Sequence, residues 1–362
     1  MRTLKTLSIQ NYKSIRDQTL ELGRLNILIG GNGSGKSNLI SVFRFLRELV
    51  SQNLAGYTLQ KGGADSLLYF GRRTSPEMSL NILFEESGIE NGYRVVLSGS
   101  DEDALFVKME EATYRDASHV APKVEHLSGN VPEAMIDRVS AGVGFYVARN
   151  LRSYRVYHFH DTSDLAAMKS FCSVDDNRYL REQSDNLAAM LYLLQERSAK
   201  DFSLIESTIR QVAPFFERFL LAPSRHNPEK IRLEWKEKGS DAYFNATALS
   251  DGTLRFICLA TLLLQPDLPS LIILDEPELG LHPAAIQLLA AMLSSASTRT
   301  QIIVATQSVT LVNQFEPKDI WTVEREDGQS VFRRLDEPAI AGWLADYSLG
   351  ELWEKNVLGA RP

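Results

Sequence analysis

The fold of this chain turns on the stretch Leu25-Asn26-Ile27-Leu28-Ile29-Gly30-Gly31-Asn32-Gly33-Ser34-Gly35-Lys36-Ser37. Its first five residues are a short, mostly apolar run ending in glycine, which suits a buried strand. Residues 30–37 match G-x-x-x-x-G-K-[ST]. From Lys36 onward, Leu39, Ile40, Phe43, Leu46 and Leu49 fall three and four apart, the period of a helix. Strand, glycine-rich turn and helix N-terminus in that order make a nest of inward-facing N–H groups with a helix dipole behind it. The pattern predicts a phosphate-binding loop at Gly30, Gly31, Asn32, Gly33, Ser34 and Gly35. Lys36 is expected to reach the β- and γ-phosphates of a nucleoside triphosphate, and the Ser37 hydroxyl to ligate Mg²⁺.

Composition narrows the setting. A chain of 362 residues, 44% hydrophobic and 23% charged, is globular and has room for one large domain or two ordinary ones. With 39 Lys+Arg against 46 Asp+Glu, the net charge of −7 excludes a broad DNA-coating surface and leaves a local basic patch open. Cys172 and Cys258 form no CxxC pair, which excludes a disulfide framework, a zinc ribbon and a zinc hook and suits a reducing compartment. Met1-Arg2-Thr3-Leu4-Lys5 has no apolar leader, and the longest apolar stretch, Phe256 to Leu264, is too short to cross a bilayer. A cytoplasmic protein without a membrane anchor is expected.

Outward from the loop, strands are expected before it, at Leu4 to Ile9 and Leu20 to Leu22. Leu80/Ile82/Phe84, Tyr93/Val95/Leu97 and Leu105/Val107/Met109 alternate with polar neighbours, which predicts an antiparallel sheet. From Ala117 to Pro223 the reading is mainly helical, with Ile205, Ile209, Val212, Phe216 and Phe219 as one stripe and no heptad run long enough for a coiled-coil arm. Ile231/Leu233/Trp235 reads as one strand. Helix Thr253 to Leu264, strand Leu271 to Leu274, helix Pro283 to Ser295 and strand Gln301 to Ala305 then alternate, which implies a parallel sheet covered on both faces. The expected division is an N-terminal lobe at 1–115, a mainly helical insert at 116–228 and a C-terminal lobe at 229–362.

Two further stretches carry chemistry. Leu271-Ile272-Ile273-Leu274-Asp275-Glu276-Pro277 puts two carboxylates at the C-terminal end of a buried strand, where α/β sheets bind ligands. Asp275 is expected to serve Mg²⁺ and Glu276 to polarise an attacking water. Leu249-Ser250-Asp251-Gly252-Thr253-Leu254-Arg255 reads as a capped helix start, and so as a second anion-binding helix end.

The order of these motifs resembles that of ABC-type ATPases: a phosphate loop, a long insertion, L-S-x-G, then an apolar strand ending in D-E-P. Glu278-Leu279-Gly280-Leu281-His282-Pro283 resembles the D-loop that follows the Walker B strand, and Thr306-Gln307-Ser308 stands where relatives carry a switch histidine. Ile9-Gln10-Asn11-Tyr12-Lys13-Ser14, taken with the phosphate loop, is similar to the RecF/SMC/OLD branch. Tyr157 to Ser163, Asn186 to Tyr192 and Leu349 to Trp353 look like a group of uncharacterised bacterial predicted ATPases. The resemblance implies an α/β, ABC-type P-loop NTPase head domain with a parallel core sheet, an antiparallel β subdomain and a helical insert. It implies ATP and Mg²⁺ as ligands. It also implies a homodimer that sandwiches two ATP molecules, with Ser250 and Gly252 meeting the γ-phosphate of the partner's nucleotide. Gln307 departs from the pattern, since an amide cannot become cationic, and slow turnover follows. No glutamine stands at an obvious Q-loop position; Gln60, Tyr69 and Arg72 are the nearest candidates.

Other clusters stay open at this level. His158 and His160 share one face of a strand, and hydrogen-bonded histidines compete there with a metal site. Arg149, Arg152 and Arg155, interleaved with Tyr154 and Tyr157, suit DNA, an acidic partner within the dimer, or water; Arg72-Arg73 is similar. Asp175, Asp176 and Asp185 lack a two-metal nuclease spacing. The family resemblance suggests an ATP-driven switch in DNA repair, DNA-end sensing or anti-phage defence. Its rival is a slow regulatory module that controls a separately encoded effector such as a nuclease. A transporter subunit fits poorly, because Thr253-Leu254-Arg255 lacks the glutamine usual after the signature glycine.

Overall fold

The computed structural model describes residues 3–116, 118 and 121–361. Ala117, His119 and Val120, which open the segment expected to be helical, lie outside the described residues, as do Met1, Arg2 and Pro362.

The strand Leu25–Ile29, buried at all five positions, lies inside a six-stranded sheet. In spatial order the strands are Gln329–Arg334, Ile320–Glu326, Leu25–Ile29, Gln301–Thr306, Leu271–Asp275 and Tyr154–Tyr157, parallel except for the first. Strands buried on both faces must divide their side chains between two cores, and these do. Ile27, Ile272, Leu274, Ile302 and Val304 join a cluster with the helices Asp251–Leu264 and Pro283–Ser297. Leu28, Leu271, Ile273, Ile303 and Ala305 join another with the helix Lys36–Val50 and an antiparallel sheet.

That second sheet, ordered Ile15–Glu21, Thr3–Tyr12, Glu77–Glu86, Ile89–Gly99, Leu105–Arg115 and Lys123–Ser128, takes in the alternating strands expected from sequence. Gln301, 1% exposed, holds it to the core sheet: its amide donates to the Leu4 carbonyl at 2.8 Å and accepts from the Leu4 N–H at 2.9 Å.

The segment 116–228 is less helical than expected. It supplies the helices Gly142–Arg152, Leu187–Arg197 and Ala199–Val212, but also the edge strand Tyr154–Tyr157 of the core sheet. The stripe drawn through Phe219 breaks after Val212, and Phe216–Phe219 is a strand. Pro214 lacks the N–H that a continuing helix needs there. The single strand expected at 231–235 is two: Lys230–Ile231 pairs with Cys172–Ser173, and Glu234–Glu237 with Phe216–Phe219.

Candidate functional site

The loop after Leu25–Ile29 wraps the start of the helix Lys36–Val50. Gly35 has φ +120°, and a Cβ there would fall 2.0 Å from Ser330 Oγ, so no other residue fits. The close approach has a purpose: Ser330 Oγ donates to the Ser34 carbonyl at 2.6 Å and fixes the loop from below. The Lys36 ammonium folds back onto the loop, donating to the carbonyls of Gly30 and of Gly31, the latter at 3.1 Å. Burial lowers its pKa, while Glu276, Asp275 and Glu278 pull the other way. Ser34 Oγ is buried without a partner.

A cavity of about 140 Å³ is lined by residues 31–38 together with Glu276 and Gln307. Three stretches far apart in sequence therefore meet, and the expected residues Gly31, Asn32, Gly33, Ser34, Gly35, Lys36, Ser37, Glu276 and Gln307 stand around one space. Gly30 lies at its base through the Lys36 bond. Asp275 ends the strand Leu271–Asp275 behind it, its pKa raised by burial and by the neighbouring Glu276 charge.

Glu276 has φ +44°, a conformation that non-glycine residues adopt at a cost of about 1–3 kcal/mol. Its N–H donates to Ala305 O at 2.8 Å, and its Oε1 accepts from Gln307 Nε2 at 2.6 Å. The same Gln307 amide donates to Asn32 Oδ1 at 2.9 Å, so it bridges the acid and the phosphate loop. Beneath it Glu278, 8% exposed, accepts from the Thr306 hydroxyl and from the Gln307 N–H at 3.4 Å, and burial raises its pKa. Sequence reading placed Glu278 only within a loop; here it positions Gln307, a contact between residues that no local pattern reports.

The segment leaving the sheet beside Asp275 is His158-Phe159-His160-Asp161, not the surroundings of Gln60, Tyr69 or Arg72, because Tyr154–Tyr157 runs parallel to the Asp275 strand. His160 Nε2 donates to the Asp275 carbonyl at 2.9 Å. A carbonyl only accepts, so Nε2 carries the hydrogen in this bond. Among the described residues no group of three or more His, Cys, Asp or Glu could hold a metal ion, and His158 Nε2 is buried without a hydrogen-bond partner.

Ser250 and Gly252 do not line the cavity. Ser250 caps the helix Asp251–Leu264, accepting from Thr253 N–H at 3.2 Å, and its side is exposed. A Cβ on Gly252 would fall 2.4 Å from the Gly280 carbonyl, so the two loops touch through backbone. Arg255 ties this corner together, donating to the carbonyls of Phe159 at 2.8 Å, His160 at 2.8 Å and Leu279 at 2.7 Å.

The arginine cluster is partly spent. Arg152 pairs with Asp137, and Arg155 lies 4.5 Å over the Tyr179 ring; Arg149 is exposed. Arg72 is held by Asp65 at 2.9 Å. Asp176 and Asp185 both face Arg181.

The residues present fit a magnesium nucleotide. The lysine now satisfied by loop carbonyls, the orphaned Ser34 hydroxyl and the glycine cradle all suit phosphate oxygens, and the hydroxyl and carboxylate of Ser37 and Asp275 are the hard oxygen donors that Mg²⁺ takes.

Residues 25–313 match the family described as "AAA domain, putative AbiEii toxin, Type IV TA system". The chain is 22% identical to the OLD nuclease of Thermus scotoductus, an alignment that covers 96% of this chain and 67% of that one. It is 24% identical over 241 residues to urease accessory protein 2 of Cryptococcus neoformans, covering 58% of this chain and 19% of that one. The chain thus spans about a fifth of the latter's length. The Smc head domain of Pyrococcus furiosus, solved with the C-terminal domain of ScpA, superposes with a TM-score of 0.61 at 15% identity, over 96% of this chain and 99% of that one. At that identity the likeness shows the fold, which is that of an SMC-type head.

Proposed function

The chain belongs to this AAA-domain family, with an SMC-type head fold, and on that premise we propose that it binds ATP with Mg²⁺ and hydrolyses it as an ATP-driven dimerisation switch. The observation that carries the reading is the gathering of residues 31–38, Glu276 and Gln307 around one small cavity beneath a buried lysine. The Lys36 ammonium exchanges its two loop carbonyls for β- and γ-phosphate oxygens, and the N–H groups of residues 31–37 hold the rest of the phosphate chain. Magnesium, held by Ser37 and through Asp275, supplies charge neutralisation at the phosphates when bound. Glu276 accepts a proton from, or polarises, the attacking water, and Gln307 orients that water by its amide.

Ser250, exposed, and Gly252, half-buried, do not line their own chain's cavity, which supports a role for them at the γ-phosphate held by a second copy. Loss of that phosphate then removes the bridge and opens the pair. The similarity to a nuclease supports a setting in DNA repair, DNA-end sensing or anti-phage defence, in the cytoplasm, with DNA near the exposed Arg149 as a candidate ligand. Among the described residues no helix is long and apolar enough to cross a membrane.

A second reading, a slow regulatory module acting on a separate effector, draws support from the Gln307–Glu276 bond, which occupies the general base at rest. Turnover separates the two. Glu276→Gln is expected to lower steady-state ATP hydrolysis by a hundredfold or so, the usual scale for losing a general base. Equal rates in wild type and variant would remove the enzymatic reading and leave the regulatory one.

A further inference from the structure

Glu278 follows Asp275 by three positions, is 8% exposed, and makes no ion pair among the described residues. A carboxylate taken out of water is costly unless hydrogen bonds hold it. Here a single oxygen takes all of them. Oε1 accepts from the Thr306 hydroxyl and, at 3.4 Å, from the Gln307 N–H, while Oε2 is buried without a partner. The carboxylate therefore serves the turn from Thr306 to Ser308.

Thr306, itself fully buried, passes that hold along. Its hydroxyl gives its one hydrogen to Glu278 and accepts the Ser308 N–H at 2.9 Å. Ser308 in turn caps the short helix Val309–Val312, accepting from the Leu311 N–H at 3.2 Å. The Gln307 side chain leaves from the middle of this braced turn. Its amide nitrogen has two hydrogens and spends both, on Glu276 Oε1 at 2.6 Å and on Asn32 Oδ1 at 2.9 Å. An ionised carboxylate only accepts, so Glu276 decides which way round the amide lies. The carboxamide oxygen of Gln307 is left without a partner among the described residues, on a side chain that lines the phosphate cavity.

We propose that Glu278 is a positioning residue for hydrolysis: through the Thr306–Ser308 turn it holds Gln307 so that the carboxamide oxygen accepts a hydrogen bond from the attacking water. That water keeps its other hydrogen for Glu276. Glu278 does not line the cavity and acts only through Gln307. The proposal deepens the hydrolytic reading given above and rests on it.

Steady-state ATP hydrolysis and AMP-PNP affinity of the full-length chain with Mg²⁺ test it, in Glu278→Ala, Glu278→Gln, Thr306→Val and Gln307→Ala. Glu278→Ala is expected to lower kcat about tenfold, the scale of one hydrogen bond to a charged group, and to leave KM and AMP-PNP affinity unchanged. Glu278→Gln keeps an oxygen that can accept the same two bonds, and is expected to hold kcat within about threefold of wild type. Thr306→Val keeps the shape and loses the hydroxyl; it is expected to lower kcat as Glu278→Ala does, and it carries the test if Glu278→Ala does not fold. In the Gln307→Ala background neither substitution is expected to slow turnover further, because the side chain they position is gone. An unchanged kcat in Glu278→Ala and Thr306→Val, or losses that multiply in the double variants, would overturn the proposal while leaving the phosphate site intact. So would a loss that appears in AMP-PNP affinity, or a Glu278→Gln as slow as Glu278→Ala. A wild type that binds AMP-PNP but hydrolyses no ATP would overturn the hydrolytic reading and this proposal with it.

Discussion

At the scale of single residues, the site is built from contacts between distant positions: Gln307 bonds Glu276, Lys36 bonds its own loop, and Glu276 sits in a strained backbone conformation. His158 gives a pH signature to the same corner. Burial, then Arg44 and His160, lower its pKa from 6.5 to about 4. The folded protein refuses a proton that the unfolded chain takes up below about pH 6.5, so this group's share of stability is intact above that pH and is lost as the pH falls toward 4. Denaturant unfolding at pH 7 and pH 5 is expected to show a smaller acid loss in His158→Gln than in wild type. Identical losses would contradict the assignment.

At the scale of elements, the phosphate loop and the Asp275-Glu276 strand end were legible in the sequence because strand, turn and helix there follow one another locally. The edge strand Tyr154–Tyr157 was not: four residues carry little pattern, and its place is set by a partner more than a hundred positions away, Leu271 opposite Tyr154. The split of the strand at 231–235 was hidden for the same reason, since two different sheets claim its halves. The contact between Gly252 and Gly280 is likewise invisible in sequence, yet it joins the helix start at Ser250 to the loop after Glu276. Gly252→Ala would push a methyl group to within 2.4 Å of the Gly280 carbonyl if nothing moved. We expect a loss of about 1–3 kcal/mol of stability, the cost of overpacking, together with slower ATP turnover. A melting temperature and a turnover rate that both match wild type would show that the loops do not need this contact.

At the scale of the whole molecule, two cores on opposite faces of one sheet make the site rigid where it must be. Gln301 joins the antiparallel sheet to the core sheet, and Arg255 joins the Ser250 helix to the loops around Asp275. The loops around the cavity are thus bound to the helix start at Ser250, the link that the proposed ATP-dependent pairing of two copies would use. Ser250 and Gly252 do not line the cavity, which leaves room for the partner-facing role that the family resemblance implies for them.

The central claim is that two copies close over ATP, each completing the other's site. It is tested most directly by measuring the mass of Glu276→Gln in solution with and without Mg²⁺-ATP, alone and combined with Ser250→Arg. The account predicts that ATP converts the single variant from its resting mass to a stable dimer, and that adding Ser250→Arg abolishes the conversion while ATP still binds. A mass indifferent to ATP, or a dimer that forms equally well with arginine at position 250, would contradict it.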